Sequence, residues 1–322
     1  MRKLNLFSFI AVIFFSLIYS GCEKNRQIIP NDSDTADVFE PIYPNEDENP
    51  EEPTFGTEHI PGIILSYPVT TDNEEIYMDI NLTILETNPK ISYDLFGFIS
   101  EQLKETGFIA ADAKNPDYTL DESEDGRQHL EEYAAQNLDY DKELFLKELP
   151  EIASYESPFN IAIDIYPVFL NDDYITFRKY AYYYTGGAHG NTISQLQTYN
   201  LTTGESLGLE NIIKPDRMED VREMVAAHMA YSYPIYENLK TVDEYIDSLN
   251  VWLGNGTSAE EDDKRITLKN YPLNNPAITS KGLVFTYERY ELAPGVDGCP
   301  VVVLTYDEVK DCLKAPFNEL NL

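Results

Sequence analysis

The sequence predicts an α+β fold built on a mainly antiparallel sheet. Three observations carry this. Ile76–Leu85 alternates apolar and polar residues with period two, as a half-buried strand does. A second alternating run, with Phe159, Ile161, Ile163 and Ile165, meets the turn Asn171-Asp172-Asp173, and an aromatic strand returns from it. Helical stripes lie between such hairpins rather than after every strand.

The elements follow in order. Residues 1–21 read as an export signal. Arg2 and Lys3 give a basic start, Leu4 to Tyr19 is almost wholly apolar, and Ser20-Gly21 is a small-residue cleavage site. Cys22 then stands where a bacterial lipoprotein is cut and lipidated with diacylglyceryl and fatty-acyl (palmitate) chains, although Tyr19 replaces the usual aliphatic residue. The other reading of the run is a retained membrane helix, near the lower limit of length for a span. Residues 22–60 read as a tether. They hold Pro30, Pro41, Pro44, Pro50 and Pro53 and a dense acidic run from Glu46 to Glu52. Such a segment lacks the apolar content for a core. Extended by roughly 3 Å per residue, it would reach on the order of 100 Å.

Residues 61–185 are expected to form an N-terminal α+β unit. In Ile76–Leu85 the side chains of Ile76, Met78, Ile80, Leu82 and Ile84 share one face. Ser92 is the expected cap of a helix with Leu95, Phe98, Ile99 and Leu103 inward and Gly107 at its end. An acidic helix is expected from Arg127 to Leu149, with Leu130, Ala134, Leu138 and Phe145 inward. The hairpin closes the unit. Residues 186–314 form the expected C-terminal unit. It opens with a strand, Ile193–Asn200, that ends in the turn Thr202-Thr203-Gly204. A helix follows Pro215 with Met218, Val221, Val225 and Met229 inward. Leu283, Phe285 and Tyr287 mark another strand, Val301 to Tyr306 the last one, and Asp307 caps a short closing helix.

Charge narrows the function classes. The chain has 23 Lys+Arg against 57 Asp+Glu, a net charge of −34. A field of that sign repels nucleic acid and anionic lipid surfaces. It favours solubility and a cationic partner. The two thiols besides Cys22, Cys299 and Cys312, are compatible with one disulfide, or with two free thiols if the intervening strand carries them apart.

Candidate chemistry is sparse. Of His59, His129, His189 and His228, none has zinc spacing with a second His or Cys. His189, in a Gly-Ala-His-Gly turn, would act either as a catalytic imidazole or through a buried hydrogen bond that fixes the turn. Asp121 to Glu132 matches the spacing of a calcium loop, with Gly126 at the turn, but Gln128 stands where such loops want an aliphatic residue and no clear helix precedes it, which favours an acidic helix N-terminus. In Tyr174–Tyr184, the rings of Tyr174, Tyr180, Tyr182 and Tyr184 share a face with Arg178. They would either cover a helix as core or present a platform for sugars or protein. Tyr182, Tyr184 and His189 are the candidate binding residues. No catalytic residue, metal ligand or cofactor is expected.

The stretch Tyr180-Ala-Tyr-Tyr-Tyr-Thr-Gly-Gly-Ala-His-Gly-Asn191, with Thr198–Glu205 and Gly282–Gly295, resembles a known family. It is the DUF3298/DUF4163 type, the extracytoplasmic domain of RsiV-like anti-sigma factors that sense lysozyme, also found before the catalytic domain of some peptidoglycan deacetylases. The resemblance implies a C-terminal part similar to a subdomain of the Hsp70-type ATPase, without a nucleotide site. A sigma-binding helix before the signal and a deacetylase domain after Leu322 are not expected, so the resemblance is not taken to imply regulated proteolysis or deacetylation. The expectation is an envelope lipoprotein with an extracytoplasmic ligand- or protein-binding domain. Its partner would be a cationic envelope or host protein such as lysozyme. The rival expectation is a peptidoglycan-active enzyme or enzyme accessory.

Overall fold

A computed structural model describes residues 62–71, 75–85, 88–107, 127–154, 158–187, 189–235, 239, 241–255 and 264–319. The signal, Cys22 and the tether lie outside the described residues. All described elements belong to one compact unit, Asn45–Leu322.

A six-stranded sheet runs in the order β1 (Gly62–Ser66), β3 (Ile76–Leu85), β4 (Phe159–Leu170), β5 (Tyr174–Tyr184), β6 (Asn191–Asn200), with the two-residue β2 (Val69–Thr70) also beside β3. Every pair in it is antiparallel except β3 with β4, which run parallel. Parallel neighbours need a long crossover, and here α1 (Pro89–Glu105) and α2 (Arg127–Ser154) supply it. Both helices pack on one face of the sheet. Ile80, Ile84, Ile163, Ile175 and Phe177 meet Leu95, Ile99, Leu103, Ala134, Leu138 and Phe145 there, all buried.

Several boundaries differ from the sequence reading: β6 starts at Asn191 rather than Ile193, the strand Gly282–Thr286 ends before Tyr287, and three others shift for a local reason. Helix α1 starts a turn before Ser92. Asn88, in extended conformation, accepts from Lys90 N at 3.2 Å, and Pro89 takes the first helical position, where its missing N–H costs nothing. Ser92 is therefore an interior residue, buried, with its hydroxyl unpartnered. Helix α2 passes Leu149 and Pro150 and continues to Ser154. Pro150 removes one helical donor, but the added turn buries Ile152. The last strand, β9 (Val301–Leu304), stops before Thr305, which caps the closing helix in place of Asp307. The Thr305 side chain accepts from Glu308 N, and the Glu308 carboxylate accepts from Thr305 N at 2.7 Å.

The C-terminal half packs α4 (Met218–Ser232) against β9 of a three-stranded sheet, β7 (Ala277–Thr279), β8 (Gly282–Thr286) and β9, and α5 (Val242–Leu253) against α4. The one-turn helices α3 (Leu209–Ile212) and α6 (Tyr306–Val309) flank it. Val221, Val225 and Met229 are buried in this second core, as their spacing predicts. Helix α5 escapes the sequence reading. Thr241 caps it, and Tyr245, Ile246 and Leu249 are buried.

The two sheets are joined by hydroxyls. Thr176 donates to Ile278 O at 2.6 Å, so its one proton is used there. Thr198 then donates to Thr176 Oγ1 at 2.8 Å and accepts from Ile278 N at 2.8 Å. Strand β6, read as the start of a C-terminal unit, pairs with β5 over ten residues. The boundary at 185/186 thus falls at a turn inside the larger sheet.

Candidate functional site

Strand β5 has two faces with different fates. Ile175, Phe177, Lys179 and Ala181 point into the first core, where the Lys179 ammonium lies 5.2 Å from the Phe98 ring centroid. Burial lowers the Lys179 pKa, against the pull of Asp94 and Glu101. The other face is divided. Tyr174 and Thr176 are buried beneath the C-terminal half, Tyr174 against Phe317 with centroids 5.3 Å apart. Beyond them Arg178, Tyr180, Tyr182 and Tyr184 emerge half-buried. The stripe read from the sequence is thus core at one end and open sheet at the other.

Strand pairing brings further residues to this open face. Asp164 sits opposite Tyr180 and Ala162 opposite Tyr182. Across the parallel ladder, Asp79 faces Ala162 and Asn81 faces Asp164, with exposed Tyr77 at the end of its row. Asn81 donates to Asp164 Oδ1 at 3.0 Å. Arg178 donates to the Tyr166 hydroxyl at 3.0 Å and lies 5.8 Å from the Tyr180 ring centroid. Burial raises the Asp164 carboxyl pKa; the Asn81 hydrogen bond opposes this and Asp79 reinforces it. Burial also raises Tyr180, to about 12, against the opposing charge of Arg178. Tyr77 is raised by burial and by its neighbours Tyr182 and Asp79, which places these three groups in one electrostatic environment.

The glycine-rich turn between β5 and β6 serves this face. Gly186 and Gly187 have φ of 94° and 99°, a region closed to most side chains. Tyr184 donates to Gly187 O at 2.6 Å, and Asn191 donates to the Tyr183 hydroxyl at 2.6 Å. The Tyr182 ring lies against Gly190. A loop of the C-terminal half clamps the same place. Arg289 donates to Gly190 O at 3.2 Å and to Gly295 O at 2.7 Å, and Cys299 Sγ lies 3.4 Å from Thr192 O. The next residue, Tyr290, is half-exposed with a φ of 70°.

His189 does not make the buried bond expected of it. It is exposed in the turn between β5 and β6, with Nδ1 3.1 Å from Gly190 O. Among the described residues no carboxylate pairs with it. His228 instead meets Glu308 at 3.2 Å, a tie between α4 and α6. His59, the His129 side chain and residues 121–126 of the calcium-like loop lie outside the described residues. Among those described, no cluster of His, Cys, Asp and Glu could hold a metal, and no helix is long and apolar enough to cross a membrane. Cys299 and Cys312 are free thiols, the first half-buried and the second buried. The sequence reading found Tyr182 and Tyr184. It missed Ala162 and Asp164 as their neighbours, because only the strand register places them there.

Residues 210–307 match the model of a family described as a protein of unknown function (DUF3298). The chain carries a DUF3298 domain. The DUF3298 match runs from α3 to α6 and includes the clamping loop at Arg289. The tyrosine face and the turn at 186–191 lie outside the matched residues. Two solved structures of DUF3298 proteins are similar to the chain. One, from Pseudomonas aeruginosa PAO1, is 16% identical with a TM-score of 0.45, over 80% of this chain and 95% of its own. The other, from Bacteroides fragilis NCTC 9343, is 15% identical with a TM-score of 0.44, over 79% and 92%. No curated protein matches.

Proposed function

We propose that this chain is an envelope lipoprotein, lipidated at Cys22, whose extracytoplasmic domain binds a basic protein on the open face of the larger sheet. The observation that supports this most is the half-exposed set Tyr77, Tyr180, Tyr182 and Tyr184 around Asp79 and Asp164, on a chain of net charge −34. Tyrosine gives large contact area at small entropic cost. The acidic excess steers a cationic partner to it. Lysozyme-like proteins enter as partners through the sequence resemblance. The mature N-terminus should carry an acylated cysteine in mass spectra, and an unmodified Cys22 would sink the anchor.

Surface plasmon resonance against hen lysozyme over a salt series tests the partner. The Debye length shrinks from about 10 Å at 0.1 M to about 3 Å at 1 M. Association should slow across that range while dissociation changes less. No binding at low salt removes lysozyme as the partner, and salt-indifferent binding removes the electrostatic mechanism.

A further inference from the structure

Ala162 is the small residue of the open face, and it is half-buried where its neighbours are long. Asp79 stands directly opposite it on β3 and Tyr182 on β5. Neighbouring strands lie about 5 Å apart. Asp164 follows two places along β4 on the same face, and Tyr77 and Tyr180 occupy the diagonals. An alanine floor among these side chains makes a dip with ring walls and two carboxylates. The electrostatic coupling of Tyr77 to both Asp79 and Tyr182 agrees with this closeness.

The face already displays the chemistry such a dip selects. Two rows along, the Arg178 guanidinium lies 6.0 Å from the Tyr166 centroid and 5.8 Å from that of Tyr180. It also donates to the Tyr166 hydroxyl. Rings attract a flat cation through their quadrupole, and guanidinium suits both ring and carboxylate. The row at Ala162 adds Tyr182 and Asp79 to this arrangement and contributes no basic side chain of its own.

We propose that the dip floored by Ala162 receives an arginine side chain of a basic partner, stacked on Tyr182 and paired with Asp79 and Asp164. This rests on the basic-protein reading above and names the group that anchors it. A sugar would stack on the same rings, but it would bring no counter-charge to Asp79, whereas Asp164 already has Arg178 within electrostatic reach.

The test is calorimetric titration of the full chain with blocked hexa-arginine and with the isosteric, uncharged hexa-citrulline. Hexa-arginine should bind and hexa-citrulline should not. Ala162→Phe fills the dip, and it should weaken hexa-arginine binding about tenfold or more, as loss of an anchor pocket does. Asp79→Asn should act in the same direction, and it serves as the second variant if circular dichroism shows Ala162→Phe misfolded. Asp216→Asn removes the same charge from an exposed site elsewhere and should leave Kd within about twofold. Equal losses from Asp79→Asn and Asp216→Asn would overturn the dip in favour of diffuse attraction. So would binding of tetra-N-acetylchitotetraose by a chain indifferent to hexa-arginine. Hen lysozyme run in parallel separates the two readings. Lysozyme held equally by the wild type and Ala162→Phe keeps the basic partner and overturns the dip. Hexa-arginine lost on Ala162→Phe while lysozyme never binds supports the dip and removes only lysozyme.

Discussion

The ring of Tyr182 occupies the space that a side chain at residue 190 would fill. A Cβ built on Gly190 would lie 2.5 Å from Cε2 and from the hydroxyl oxygen of that ring. The obstacle is the far end of a side chain, so a substitution displaces the ring rather than the backbone. Gly190→Ala should therefore cost stability modestly, about 1 kcal/mol by thermal unfolding, and both it and Tyr182→Ala should weaken binding of a basic protein. A variant with unchanged affinity would remove Tyr182 from the contact surface.

Gly186 and Gly187 test the turn itself. Nothing lies within 4 Å of a Cβ built at Gly187, so any cost there comes from its φ of 99°. Gly187→Val should destabilise by roughly 1 kcal/mol or more, and Gly187→Asn by less. Equal midpoints in urea for both variants would contradict this.

The hydroxyl junction between the sheets is a second stability test. Thr198→Val keeps the shape but leaves the buried Ile278 N without its acceptor. Unfolding free energy should fall by about 1–3 kcal/mol. Lys281→Ala, at an exposed turn position of the same hairpin, should stay within about 0.5 kcal/mol.

Asp141 sets a pH dependence. It is buried in α2, and desolvation pushes its pKa up to about 7 against the opposing charge of Lys104. The folded state therefore holds a proton that the unfolded chain releases near its ordinary value of 3.8. Stability from this group is greatest below that value and falls as pH rises, levelling off above about 7. Asp141→Asn removes the slope. The variant should match the wild type near pH 4 and exceed it at pH 8, by up to roughly 4 kcal/mol at about 1.4 per pH unit. A difference independent of pH in chemical denaturation would refute the assignment.

Much of this was legible in the chain. The period-two runs placed β3, β4 and β5, because each has one face on a core and one away from it. Helix α5 was missed although Thr241 caps it and Gly254 ends it, since its apolar residues sit among Asp243, Glu244 and Asp247. The shift from Ser92 to Asn88 turned on the proline beside Asn88, a purely local signal.

The site divides the same way. The sequence by itself determined the tyrosine stripe, the glycine turn and the acidic excess, because local periodicity, backbone freedom and charge are properties of the chain alone. Only the tertiary structure decided that β3 lies parallel to β4, that the C-terminal half buries Tyr174 and Thr176 but leaves Tyr182 half-buried, and that Asp79, Ala162 and Tyr182 share a row. Those facts depend on register across a crossover of more than seventy residues, and no local preference encodes a pairing at that distance.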